Sequence, residues 1–550
     1  MAATPDIPST KRAGLPVDFE RLARVGDTDL TPEERYALKT YGVCAQLQDH
    51  VFMIRVRVPG GLLRPTQARQ LVDMARRHAR DWVHLTTRQN VELHWVSDRS
   101  VPAVLGEVDS IGLTTRSACG HTLRNVMSAE EAGVGLDEPF DCMPDARAVS
   151  DAIVSRSREL NRELPSRINM AFGGSPRCRH DALLNDGGFV SVVRDGEPGY
   201  DLWGGGSLGR SPRLAVRLHE FVPREDALAA AEALVDVFVQ HGDLDHPAKG
   251  RLKFVVERLG EERFRAEWSA AFDDARRRPH PEPAPVSVLG SAEHTAVLAA
   301  APAGGWSAGV RPQRTVGRAL VTVDVPMGDL SGHELEAIAQ LAERYGDGAL
   351  HLSRDQDVVL RDVDVDAVEA LRDALAEHSL GVLGDSRSPR VRACTGSAVC
   401  ALGITTAPDA GISLLTSDGL RRHSTLRVHV SGCPNSCAQH QAADIGLAGT
   451  KVKINGEALD GYQVFVGADL ERHEHGEVVG RVGERDVVAA VDALVGVWEA
   501  LRHDGETLGR TCRRVGIDAI AAHVATLLER RWESGAGDEE RELAAAGTGP

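Results

Sequence analysis

Two stretches of the chain decide the fold: VPGGLLRPTQARQLVDMARRHARDWVHLTTRQNVEL (residues 58–93) and VPMGDLSGHELEAIAQLAERYGDGALHLSRDQDVVL (residues 325–360). They align without a gap. Val58-Pro59 stands 26 residues before His84-Leu85, and Val325-Pro326 stands 26 before His351-Leu352. Thr86-Thr87-Arg88-Gln89 then faces Ser353-Arg354-Asp355-Gln356. Self-similarity at this separation means a duplicated domain. In each copy a β-branched run (51–58, 320–325) precedes a segment of helical period (66–78, 332–345). A short strand then carries the His-Leu pair and runs toward Val91 or Val358. Strand, helix and strand in this order predict an α+β sandwich unit.

A second pair of segments follows the repeats. Cys119-Gly120-His121-Thr122-Leu123-Arg124-Asn125 and the loop Gly174-Ser175-Pro176-Arg177-Cys178 follow the first copy. Cys394-Thr395-Gly396 and Gly432-Cys433-Pro434-Asn435-Ser436-Cys437 follow the second. The two loops read as one ancestral element that keeps its full cysteine set only in the second half. Residues 276–305, rich in Pro, Ala and Gly, read as a linker crossing the surface. Residues 1–34 form an N-terminal extension, and 533–550 read as a disordered tail.

A chain of 550 residues is too long for one core. Its net charge of −17 argues against a nucleic-acid binder, which would show a basic surface. No apolar run approaches the roughly 20 residues that span a bilayer, and residues 1–20 lack the apolar centre of a secretory signal. A cytoplasmic protein with no membrane or nucleic-acid partner is expected. Of 63 basic residues only six are lysine: Lys11, Lys39, Lys249, Lys253, Lys451 and Lys453. A source biased toward Arg explains the imbalance, and each surviving lysine is either a leftover or a position where Arg will not serve.

Nine cysteines are too few and too odd in number for a disulfide scaffold. Four of them, Cys394, Cys400, Cys433 and Cys437, fall on two loops within 44 residues. Four soft thiolates suit a [4Fe–4S] cluster or a structural zinc. Zinc sites usually space the close pair as C-x2-C or C-x4-C, which neither pair here does. Glycines at 396 and 432 and Pro434 give tight turns whose free N–H groups can reach cluster sulfurs. By residues alone a cluster, a zinc site and plain buried thiols all remain open.

The segments ACTGSAVCALGITTA and HVSGCPNSCAQHQAADIGLAG resemble the signature of siroheme-containing nitrite and sulfite reductases. The likeness covers roughly residues 35–530 and includes the duplicated halves. It implies an α+β fold with a pseudo-twofold: duplicated ferredoxin-like half-domains (35–112 and 306–382) and two α/β siroheme- and cluster-binding domains (113–275 and 383–532). It implies siroheme and a [4Fe–4S] cluster, the latter on Cys394, Cys400, Cys433 and Cys437. Cys437 would also give its thiolate to the siroheme iron.

Siroheme carries carboxylates and the substrate is an anion, so basic residues must converge on them. Thr86-Thr87-Arg88-Gln89 resembles the family segment whose arginine faces substrate, with Gln89 beside the cofactor. The alternative, a solvated arginine at a strand end, is the lesser reading beside the similarity of the whole HLTTRQNV stretch. Arg124-Asn125-Val126 resembles the segment that holds siroheme carboxylates. Leu164-Pro165-Ser166-Arg167 resembles a Leu-Pro-Arg-Lys segment but departs from it: Ser166 stands where the family has arginine, and Arg167 is expected to substitute. Arg251-Leu252-Lys253 precedes an apolar run read as a strand, whose alternation would put Arg251 and Lys253 on one face.

The resemblance implies six-electron reduction of a small inorganic oxyanion, with Arg88, Arg167, Arg251 and Lys253 polarising it and feeding protons. Two basic residues at 251 and 253 favour the more highly charged sulfite over nitrite. No phosphate-binding or dinucleotide-binding glycine motif is evident. Electrons are therefore expected from a partner, ferredoxin or a flavoprotein. A precorrin-3B synthase-like enzyme and a zinc-stapled binding module are the alternatives.

Overall fold

The computed structural model describes residues 5–290, 293–385, 389–454 and 457–533. The chain divides into two compact units, Met1–Ser386 and Arg387–Pro550. The elements used below, in chain order, are α1 (Ile7–Arg12), β1 (Val43–Ala45), β2 (Val51–Arg57), β3 (Leu62–Leu63), α2 (Pro65–His78), β4 (Trp82–Leu85) and β5 (Asn90–Ser97). Next come β6 (Leu123–Ser128), β7 (Ile168–Gly173), β8 (Gly187–Arg194), β9 (Glu197–Gly204), β10 (Val216–Pro223) and α3 (Leu252–Leu259). The second repeat holds β11 (Val310–Pro312), β12 (Arg318–Asp324), β13 (Asp329–Ser331), α4 (Gly332–Tyr345), β14 (Leu350–Leu352), β15 (Val358–Asp364) and β16 (Gly381–Val382). The second unit holds β17 (Arg390–Ala393), β18 (Arg427–Ser431), β19 (Ile445–Ile454), β20 (Glu457–Val466) and β21 (Glu477–Gly483).

Each repeat builds a sheet packed against helices, a long one and a shorter one (Val101–Ser110 in the first repeat, Val368–Ala376 in the second). In α2, Ala68, Leu71, Val72 and Ala75 recur at helical spacing and are buried. In α4, Leu335, Ile338, Ala339 and Ala342 do the same, and Ser331 with Glu334 forms a capping box. The two helices lie side by side, with Arg69 and Arg76 of α2 paired to Glu343 and Glu336 of α4. These exposed pairs contribute little; the shared apolar core that runs from Leu71 and Val83 to Leu341 and Leu360 holds the repeats together.

The repeats also exchange a strand. The first sheet runs β1-β2-β5-β4-β13 and the second runs β11-β12-β15-β14-β3, with β16 on β12. So β13 of the second repeat closes the first sheet on β4, and β3 of the first closes the second on β14. The equivalent glutamines cross the same seam. Gln89 donates to Leu352 O at 2.7 Å, and Gln356 donates to Leu85 O at 2.9 Å. Two glycines make room for them: a Cβ on Gly61 would sit 2.7 Å from Leu352 O and from the Gln89 amide, and one on Gly328 would sit 2.5 Å from Leu85 O.

The remaining sheets share one design. In unit 1, β6, β7 and β8 are parallel and β9 and β10 antiparallel. In unit 2, β17, β18 and β19 are parallel and β20 and β21 antiparallel. The first is packed on Phe172, Phe189 and Tyr200, the Phe rings stacked at 4.2 Å. The duplicated α+β architecture thus matches the expectation.

Three expectations need correction. The His-Leu strand does not run on toward Val91: β4 ends at Leu85 and β5 returns antiparallel, because Gln89 turns the chain in the left-handed region (φ 53°). Residues 252–259 are a helix, not a strand. Leu252, Val255 and Val256 recur at i, i+3 and i+4 and are all buried, and Gly260 (φ 79°) ends the helix. The stretch 276–305 carries a short helix, His294–Ala299. Of the tail, Glu533 ends the last helix, Ile517–Glu533, and 534–550 lie outside the described residues. Among the described residues no helix is long and apolar enough to cross a membrane.

Gly328 and Gly348 both hold left-handed φ, 78° and 77°, but a Cβ at 348 meets nothing within 4 Å. Gly348→Ala is expected to cost about 1–2 kcal/mol from backbone strain alone. Gly328→Ala should cost clearly more, because it also wedges the Gln356 crossing apart. Denaturant unfolding of the two variants measures the difference.

Candidate functional site

In unit 2 the cysteines sit where two parallel strands end. Cys394 follows β17, and Cys433 and Cys437 follow β18, its ladder neighbour. The Cys394 N–H continues the ladder to Val430 O at 3.1 Å. Three glycines let the loops touch. A Cβ on Gly432 would lie 2.6 Å from Gly396 Cα, and one on Gly449 would lie 2.3 Å from Gly432 O. Ile404 N donates to Gly432 O at 2.7 Å and locks the second cysteine loop to the first. The Gly432 N–H points at Cys394 Sγ, 3.2 Å away. Ser436 takes the left-handed turn (φ 58°) that presents Cys437 to solvent, while Cys433 is buried.

Burial pushes the Cys394 thiol up, and negative charge on Cys437 and then on Cys433 pushes it further; the N–H groups of Gly432 and Gly396 oppose this. So these thiols converge, and as thiolates they repel one another unless a cation lies among them. Soft sulfur donors and N–H groups aimed at sulfur fit an iron–sulfur cluster.

Unit 1 carries the basic residues. Arg88, half-buried, stands in the β4–β5 turn. Asn125 pins that turn from β6: its Nδ2 donates to Val58 O at 2.8 Å, Arg88 O at 3.0 Å and Gln89 O at 3.2 Å. Its Oδ1 is buried and finds no hydrogen-bond partner among the described residues. Gln89 spends its amide on Ser128 N and O and on Leu352 O. Both residues therefore act on the backbone around Arg88. Arg124 donates to Ala118 O at 2.8 Å and Gly120 O at 2.9 Å. Burial pushes Arg124 down to about 10, with Arg55 and Arg88 adding to this against the Cys119 charge. Arg88 and Arg124 thus share one electrostatic neighbourhood.

Arg251 and Lys253 do not share a face. On a helix, residues two apart point about 200° apart. Arg251 turns to Asp186, 3.0 Å away, whose carboxylate also accepts from the N–H and side chain of Asn169 at 2.8 and 3.0 Å. Lys253 turns to the carbonyls of Leu208 and Ser211, at 3.1 and 2.5 Å. Among the described residues no carboxylate pairs with it. Burial pushes its ammonium down to about 8; Arg251 and Arg167 add to this, and Asp186 and Glu257 oppose it. Arg167, half-buried, thus bears electrostatically on Lys253, while Ser166 beside it is buried.

Sequence reasoning passed over Asp186, which had no motif to announce it. It also left Lys11 undistinguished from the other lysines. The helix over 252–259 was detectable in the Leu252, Val255, Val256 spacing.

Comparison with known proteins bears on both units. The family described as "Nitrite and sulphite reductase 4Fe-4S domain" matches residues 119–274 and 387–532. That described as "Nitrite/Sulfite reductase ferredoxin-like half domain" matches 45–111 and 311–378. An assimilatory ferredoxin-dependent nitrite reductase of Haloferax mediterranei is 29% identical, over 92% of this chain and 90% of its own length. A sulfite reductase [ferredoxin] 1 of Mycolicibacterium paratuberculosis is 30% identical, over 84% of this chain and 82% of its own. The solved NirA protein of Mycobacterium tuberculosis superposes with a TM-score of 0.79 at 26% identity, covering 94% of this chain and 97% of that one.

The Arg251–Asp186 pair is buried, so removing one partner strands a charge. Asp186→Leu is expected to cost about 3–5 kcal/mol. The double variant Asp186→Leu/Arg251→Met should recover most of it. Thermal unfolding of the set reads the coupling.

Proposed function

The chain belongs to the nitrite and sulfite reductase family, and on that premise we propose that it reduces sulfite to sulfide in an assimilatory, cytoplasmic role. The family makes it an oxidoreductase that works with siroheme and a [4Fe–4S] cluster. Cys394, Cys400, Cys433 and Cys437 would hold the cluster, and Cys437 would also serve the siroheme iron. Arg124 would bind siroheme carboxylates, with Asn125 and Gln89 fixing the backbone beside it. When bound, these groups supply electrons singly, six per sulfite, and ferredoxin is the donor the relatives' names point to.

Lys253 carries the choice of anion. Its ammonium is held by two carbonyls and answered by no carboxylate among the described residues, and the Arg167 charge bears on it. Excess positive charge of this kind suits a dianion. Arg88 and Arg167 would orient the anion's oxygens. Lys253, charged below about 8, can deliver protons as oxygen leaves as water. Arg251 is better read as holding the segment in place, since Asp186 already answers its charge. That same cancellation favours nitrite, a monoanion, as the second reading.

Purified enzyme with siroheme, assayed with reduced methyl viologen and each anion, tests the proposal. A larger kcat/KM for sulfite than for nitrite supports it, and the reverse gives the second reading. Cluster iron without siroheme would point to a precorrin-3B synthase-like enzyme. Zinc without iron or sulfide would sink the reductase altogether. Cys437→Ser is expected to lose cluster iron and labile sulfide. The kcat/KM for the anion should fall as pH rises through about 8, where Lys253 gives up its charge. Lys253→Met should remove that limb and lower kcat about 10²–10⁴-fold.

A further inference from the structure

A lysine of the N-terminal extension lies outside both family descriptions, whose matches begin at residue 45, yet it reaches residues inside the match over 119–274. Lys11, in the last turn of α1, is 0% exposed. Its ammonium donates to Asn161 O at 2.5 Å, Leu164 O at 2.8 Å and His121 O at 3.4 Å. Three protons meet three carbonyls, the full capacity of an ammonium. The acceptors belong to two separate segments. His121 lies three residues before Arg124, and Asn161 and Leu164 lead into Ser166 and Arg167.

Burying an ammonium without a carboxylate is costly: among the described residues none pairs with Lys11, and burial pushes its ammonium down to about 7. Arginine is a poor substitute, because its planar fork does not match three carbonyls converging on a point. In a chain where only six of 63 basic residues are lysine, this position has kept one. The charge also has company. The His121 imidazole is pushed down to about 3 by burial and then by Lys11, Arg124, Arg167 and Lys39. Four cations from four segments therefore bear on one ring, and one of them, Lys11, is bonded to Leu164 O, two residues before the position where Ser166 replaces the family's arginine.

We propose that Lys11 is a positioning residue for the anion site, clamping the Arg124 segment to the Arg167 segment. It does not touch the reacting anion; it acts through Arg124 and Arg167. The role in turnover rests on the proposed reductase chemistry, whereas the clamp does not.

The test uses full-length enzyme and three variants. Lys11→Met removes charge and donors. Lys11→Gln keeps two N–H donors without the charge. Thr10→Ala perturbs the same helix by removing the bond from Thr10 Oγ1 to Asp6 O. Amide hydrogen exchange over residues 118–124 and 161–167 is expected to quicken in Lys11→Met, to be largely restored in Lys11→Gln, and to stay unchanged in Thr10→Ala. KM for the anion should rise about tenfold or more in Lys11→Met and far less in Lys11→Gln, with kcat little changed in either. Unchanged exchange and KM in Lys11→Met would overturn the proposal, as would Thr10→Ala reproducing its effects. If the parent enzyme reduced neither sulfite nor nitrite, the reductase reading would fall while the exchange data still decided the clamp.

Discussion

The seam between the two repeats is the constraint on which unit 1 depends. Each repeat gives a strand to the other's sheet, and each sends a glutamine across to a backbone carbonyl of its counterpart. A buried carbonyl that loses its donor costs about 1–3 kcal/mol, so the two crossings are mutually enforcing. Gln89 is also the residue after Arg88. The turn that presents the first arginine of the site is thus set by a bond to the other repeat, and Asn125 holds it from the adjoining sheet.

The charges in unit 1 show a division of labour among residues of one type. Arg251 is neutralised by Asp186, which itself is saturated by Asn169. Arg124 and Lys253 are held instead by neutral carbonyls, so their charge remains available to act at a distance. An acidic chain of net charge −17 thereby keeps a local positive field. Burial cost is accepted at these positions, and the compensation comes from oriented backbone dipoles rather than counter-ions.

Much of this was legible in the sequence. The duplication could be read from two gapless stretches because the hydrophobic period and the turn residues are local signals. The cysteine loops could be read because their glycines and spacing are local too. The Arg251–Lys253 face could not: Phe254-Val255-Val256 is an apolar run that serves strand or helix, and the deciding spacing to Leu252 was overridden by the expectation of alternation. The strand exchange was invisible, since pairing partners 245 to 289 residues apart leave no mark on either stretch alone. Lys11 was invisible for the same reason, as its acceptors are backbone groups more than 100 residues away and carry no sequence identity.

The reciprocal strand exchange has a consequence for how the two halves came to differ. Such a seam is what an isologous interface looks like: each side meets the other with the same residues. In a homodimer of single-repeat chains, any substitution would appear on both sides at once, so no cysteine could be lost from one cluster loop and kept in the other. Joining the copies in one chain lifted that self-complementarity while leaving the interface intact. The Gly-Ser-Pro-Arg-Cys loop could then drift from its thiolate-rich twin without weakening the contact that holds the halves together.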